Sequence, residues 1–143
     1  MKIIICIIIL TFLNGCSATK DEKTLEIKNA VDTTQNNISV EDFWVLSHQD
    51  YPKYPVNAAR DNISGCVDFR FIIDREGRAT NIQVIKAIPH RAFIPSATES
   101  LKKFRWEPTE NNSTHQPVVT TLQLEFIINR IRNVPECLVK GTT

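Results

Sequence analysis

No stretch of this chain strings five basic residues together, and no basic stripe interleaves with aromatics. Lysine and arginine number 17 against 16 aspartates and glutamates, a formal charge of +1. A surface that tracks a nucleic-acid backbone is therefore excluded. The sequence has no Gly-x-Ser-x-Gly nucleophile motif, no phosphate loop and no pair of acids placed on adjacent elements, so no catalytic residue is assigned and no enzyme is expected. Cysteines number 4 and histidines 3. No Cys-x-x-Cys pair occurs, and His48, His90 and His115 lie scattered in polar stretches without ligand spacing, so neither a metal nor another cofactor is expected. Internal repeats are absent as well. The chain also has no apolar run long enough to span a bilayer: Ile3 to Leu13 is about eleven residues, where a helix needs roughly twenty.

What that short run does have is the order of a secretory signal peptide: a basic residue, Lys2, then the apolar segment, then small residues. Its end, Leu13-Asn14-Gly15-Cys16, resembles the lipobox of bacterial lipoproteins, in which the lipid-modified cysteine becomes the first residue after cleavage. The resemblance makes residues 1–15 the signal and Cys16 the lipidation site. Two or three acyl chains, at about 0.8 kcal/mol per buried methylene, hold a protein on a membrane without a spanning helix. In such lipoproteins an aspartate after the cysteine favours the inner membrane. Ser17 stands there, so the resemblance points to the periplasmic face of the outer membrane.

The remaining roughly 128 residues make one domain. Cys6 leaves with the signal and Cys16 takes lipid, so Cys66 and Cys137 remain in an oxidising compartment. They read as a disulfide or as two buried thiols. The disulfide is the expectation, and closing a loop of about seventy residues it would contribute roughly 4 kcal/mol in the chain-entropy model.

From Ser17 to about Asn37 the composition is polar, with too little apolar surface to offset the entropy of ordering, so residues 16–45 read as a lipid-anchored linker before a domain over 46–143. Order is expected to begin near Val40, Phe43, Trp44 and Leu46. Pro55 marks the start of a short helix and Gly65 its end. Val67, Phe69, Phe71 and Ile73 alternate with Asp68 and Arg70, the pattern of a half-buried strand, and a turn over residues 74–77 leads to a second run through Ile82 and Val84. Phe93, Ala97, Leu101 and Phe104 then recur at helical spacing, with the helix stopping before Pro108. Last, Val118, Thr120, Leu122, Leu124, Phe126 and Ile128 share one face of the longest strand. The order helix, strand, strand, helix, strand implies an α+β fold, a small three-stranded antiparallel sheet with helices on one face.

The stretch from Tyr51 to Pro108 resembles the C-terminal domain of TonB-family proteins. The residues that carry the resemblance are Tyr54-Pro55 with Ala58 and Ala59, Gly65 with Val67 and Phe71, Asp74 to Gly77, Phe93 opening a helix, and Lys102 to Pro108 closing it before a final alternating strand. It covers about residues 46 to 128. It implies a binding domain and not an enzyme, one that takes the extended "box" peptide at the periplasmic end of an outer-membrane receptor as an added strand. Affinity then comes from unpaired backbone groups on an edge, and selectivity from alternate side chains. Carried over, the peptide-binding edge is Val118, Val119, Thr120, Thr121, Leu122, Gln123 and Leu124 within Val118 to Phe126, with Tyr54 and Pro55 flanking the peptide.

The other end departs from that family. An energy transducer has an N-terminal membrane helix coupled to an inner-membrane motor and a long proline-rich linker, and neither is seen here. A lipid anchor cannot contact the motor's helices, and a tether of about thirty residues spans near 30 Å. The expectation is therefore an accessory or transduction-related lipoprotein whose partner is a receptor or another periplasmic protein on its own membrane. The alternative is a structural envelope module that pairs its edge with a second copy as a homodimer, without a role in transport.

Overall fold

The run Val67, Phe69, Phe71, Ile73 forms the core-facing side of β3 (Gly65–Ile73), and all four side chains are buried. The computed structural model describes residues 28–35, 38–89, 91–128 and 137. The signal, Cys16 and His90 lie outside the described residues. β3 pairs antiparallel with β4 (Ala79–Ile88) on one side and β6 (Val118–Phe126) on the other. The β3–β6 ladder runs without a break from Gly65 opposite Phe126 to Ile73 opposite Val118. This is the three-stranded antiparallel sheet expected from the sequence, in an α+β fold.

The β3–β4 turn is held by a buried carboxylate. Asp74 accepts from the backbone N–H of Glu76 (3.1 Å) and Arg78 (2.9 Å) and from Arg78 Nε (3.1 Å). Gly77 has φ +69°, and a Cβ there would lie 2.0 Å from the Trp106 carbonyl oxygen. Both the left-handed backbone and the close approach require glycine.

α1 (Val56–Arg60) begins after Pro55, which is its N-cap rather than its first helical residue. Asn62, at φ +54°, follows it in the left-handed conformation, so the helix ends well before Gly65, which the sequence reading took as its end. Gly65 instead opens β3. α2 (Ile94–Lys103) carries Pro95 in its first turn, and Phe93, Ala97, Leu101 and Phe104 are all buried. Phe93 stacks on Phe126 with centroids 4.4 Å apart, so one helix face seals the sheet. Truncating Leu101 to alanine there would cost about 2–5 kcal/mol.

Two further strands lie where the sequence suggested linker, loop or helix end. β2 (Trp44–His48) pairs antiparallel with β5 (Arg105–Pro108). Phe104 turns extended, and Trp106 donates to the Gly77 carbonyl at 2.9 Å. Strand pairing ends α2 before Trp106. Trp44 is 1% exposed and its Nε1 donates to the Gln116 carbonyl (2.9 Å). Val31, Val40 and Phe43 pack against the same core, so order extends upstream of residue 46. β1 (Val31–Asp32) lies parallel to β6 and gives the four-stranded order β1-β6-β3-β4.

β4 departs from simple alternation. Its pairing to β3 shifts between Asp68 and Phe69 and again between Arg70 and Ile72. These bulges insert residues on β4, so Ile82 packs on the core while Val84, expected on the same face, is 39% exposed.

Cys66 and Cys137 are joined by a disulfide with Cα atoms 5.7 Å apart. Together with Ile88 they form a small buried cluster separate from the main core. Among the described residues no helix is long and apolar enough to cross a membrane, and no group of three or more metal-ligating side chains occurs.

Candidate functional site

β6 faces two environments because side chains alternate across a strand. Val118, Leu124 and Phe126 are buried, with Thr120 and Leu122 half-buried on the same face. Val119, Thr121, Gln123 and Glu125 occupy the opposite face. The backbone has its own alternation, which the sequence left unresolved. The carbonyls of Pro117 and Val119 accept from the N–H groups of Val31 and Thr33, at 2.9 and 3.0 Å. These odd-numbered residues therefore point their backbone groups away from β3. With period two, Thr121, Gln123 and Glu125 do the same, while Thr120, Leu122 and Leu124 bond toward β3.

The seven expected edge residues thus divide by role. Val118, Thr120, Leu122 and Leu124 hold the strand on the core, and Val119, Thr121 and Gln123 present the edge. Val119 is already engaged by the chain's own N-terminal segment. From Thr121 onward, no described residue pairs with that side of β6. Thr121 and Glu125 are exposed. Gln123 donates from Nε2 to Asp68 Oδ1 (2.5 Å), and its Oε1 is buried without a partner.

The segment against Val119 is fixed by a small polar cluster. Thr33 Oγ1 donates to the Val119 carbonyl (2.9 Å), alongside the Thr33 N–H. Arg70 Nη2 meets Asp32 Oδ2 at 2.6 Å. Asp32 Oδ1 accepts from Thr34 N (2.9 Å) and Thr34 Oγ1 (2.6 Å), an Asx turn that closes the ladder. The Thr34 hydroxyl, with a smaller contribution from the Arg70 charge, holds the Asp32 carboxyl below its ordinary range. Upstream, Gln116 Nε2 donates to the Asn29 carbonyl (2.6 Å).

The opposite edge of the sheet is unsuited to pairing. β4 carries the two bulges, Asn81 at φ +48° and Lys86. Bulges and edge lysines are devices that block strand addition. The usable edge is therefore on β6.

Tyr54, expected with Pro55 to flank the peptide, packs against the core. The Tyr54 ring is edge-on to Phe93 (5.9 Å) and Phe126 (5.7 Å), and its hydroxyl donates to the Ile63 carbonyl at 2.7 Å. Burial pushes its phenol pKa up. It anchors the end of β6 from the core side, while Pro55 starts α1. The exposed ring of the neighbouring Tyr-Pro pair is Tyr51, at 78% exposure. Sequence reasoning passed over Tyr51, Arg70 and Val31–Thr33; the repeated Tyr-Pro dipeptide and the turn-forming Asp32-Thr33-Thr34 were the available signals.

The α+β sheet thus has one edge guarded by bulges and one that no described residue covers beyond Val119. The chain belongs to the family of Gram-negative bacterial TonB protein C-terminal domains, whose family model matches residues 50–128, and that domain is non-enzymatic. It is 37% identical over 59 residues to protein TonB of Pseudomonas aeruginosa, covering 41% of this chain and 17% of that protein. It is 32% identical over 56 residues to protein TonB of Yersinia enterocolitica, covering 39% of this chain and 22% of that one. The matches thus span only about a fifth of these relatives' length. The solution structure of the Pseudomonas aeruginosa TonB C-terminal domain superposes with a TM-score of 0.53 at 29% identity, covering 62% of this chain and 90% of that one.

Proposed function

We propose that this domain binds an extended segment of an outer-membrane receptor by accepting it as a strand on β6, as an accessory or transduction-related component of outer-membrane transport. The observation that carries the reading is that no described residue pairs with the outward backbone of Thr121, Gln123 and Glu125. Family membership supports the receptor as partner. The lipobox-like "LNGC" supports a lipid anchor at Cys16 and a place on the periplasmic face of the outer membrane. Each outward residue offers one donor and one acceptor, so affinity depends on backbone geometry and tolerates side-chain changes. Tyr54 contributes by packing against Phe126 at the end of β6, and Pro55, beside it in sequence, by starting α1.

Calorimetry with a box peptide tests this. Thr121→Pro deletes an outward N–H and its ring obstructs the edge, so binding should fall at least about tenfold. Thr121→Val should change it little. Equal binding by a folded Thr121→Pro variant moves the site off β6.

The same open edge also suits a second copy of the chain. Under that second reading, sedimentation shows a dimer that Thr121→Pro dissolves, and box peptides do not bind.

A further inference from the structure

The first part of the β6 edge is not vacant. Val31 and Thr33 donate to Pro117 and Val119, in a parallel ladder of two residue pairs. A partner strand running the full length of β6 needs those same outward groups. We propose that Val31–Thr33 is a built-in competitor, a strand of the chain's own N-terminal segment that holds this part of the edge until a partner strand displaces it. The inference rests on the strand-addition reading and names how that site is regulated.

The hold is small by construction. β3 meets β6 through nine paired residues, while β1 meets it through two. The ion pair that reinforces β1 joins an Arg70 side chain 40% exposed to an Asp32 side chain 30% exposed, and pairs so solvated contribute little. The Thr33 N–H and hydroxyl share one acceptor, the Val119 carbonyl. Immediately beyond, Asp32 and Thr34 close a turn, and no described residue extends the ladder past Val119. Permanent protection of an edge would extend along it. A short strand ending in a turn occupies the groups that a longer partner must win, while no described residue pairs with Thr121 to Glu125 on that side.

Tethering makes this weak strand effective. Val31 is joined by a short segment to Val40, which packs on the core, so the competitor acts at a local concentration that a free peptide does not match. A partner's apparent affinity is then reduced by the fraction of molecules whose edge is fully open.

Thr33→Pro removes the N–H that meets Val119, and Asp32→Ala removes the ion pair and the turn. Neither changes β6 or the buried core. The test uses the full chain in detergent and a synthetic peptide copying a receptor's box segment, with affinity read by calorimetry and amide exchange read over residues 28–35. Both variants should bind the peptide roughly three- to tenfold more tightly than the parent. In the parent, protection over residues 28–35 should be lost at saturating peptide. Equal affinity in all three proteins, with that protection retained at saturation, overturns the competitor while leaving strand addition in place. A peptide that binds none of the three, the variants included, overturns the strand-addition reading and this inference with it.

Discussion

The hydroxyl of Tyr54 donates to the Ile63 carbonyl at 2.7 Å, and its ring stands edge-on to both Phe93 and Phe126. Tyr54→Phe keeps the ring packing and removes the bond, a loss of about 1 kcal/mol. For a domain of this size each such loss lowers the melting temperature by about 4–8 °C. A thermal melt checks it, and an unchanged midpoint would mean the hydroxyl contributes nothing to the fold. Asp32 gives a pH-dependent counterpart. Its carboxyl is held below the ordinary value of 3.8 by the Thr34 hydroxyl, with Arg70 assisting. A carboxyl more acidic folded than unfolded stabilises fully above the ordinary range and loses that contribution as pH falls through the folded value. Residues 28–35 should therefore lose protection in acid before β3 does. Amide exchange, corrected for its intrinsic pH dependence, reads the difference; simultaneous loss would remove Asp32 from the account.

Among the elements, β6 carries both core packing and the proposed binding edge, and adjacent residues divide the two tasks. Leu122→Pro removes an N–H bonded toward β3 and should cost about 3 kcal/mol or more. Thr121→Pro removes one directed outward and should melt near the parent temperature. Equivalent melts would show the outward assignment to be wrong. The faces of β3, α2 and β6 were legible because each buries one side and shows a clean period, as with Phe93, Ala97, Leu101 and Phe104. β2 and β5 were not, since Val45 and Leu46 are both exposed and only pairing with each other makes them strands. β4 misled because bulges are set by the partner's register, which moved Val84 off the core. β1 was hidden in a polar stretch, where two residues give no period at all. The candidate edge was readable as a strand, but not which of its residues point outward, because backbone direction depends on a neighbour the sequence does not name.

At the scale of the molecule, the disulfide ties the start of β3 to the chain beyond β6, across a separation of 71 residues. Cys137→Ser should cost about 2–5 kcal/mol, measured by urea unfolding. A midpoint unchanged by the substitution would show that the bond adds no stability. Were Cys16 the anchor, the β1 segment would also set reach: releasing β1 would lengthen the stretch of chain between Cys16 and the packed core from about fifteen residues to about twenty-four. Partner capture and reach would then change together.

The central claim is that a partner strand lies along the outer edge of β6. A photo-crosslinking amino acid placed at Thr121 or Glu125, both exposed on that strand, reports directly on what lies there in intact cells. The account predicts crosslinks to an outer-membrane receptor from both positions and none from Lys102, exposed on α2. Crosslinks from Lys102, with neither strand position reacting, would contradict it.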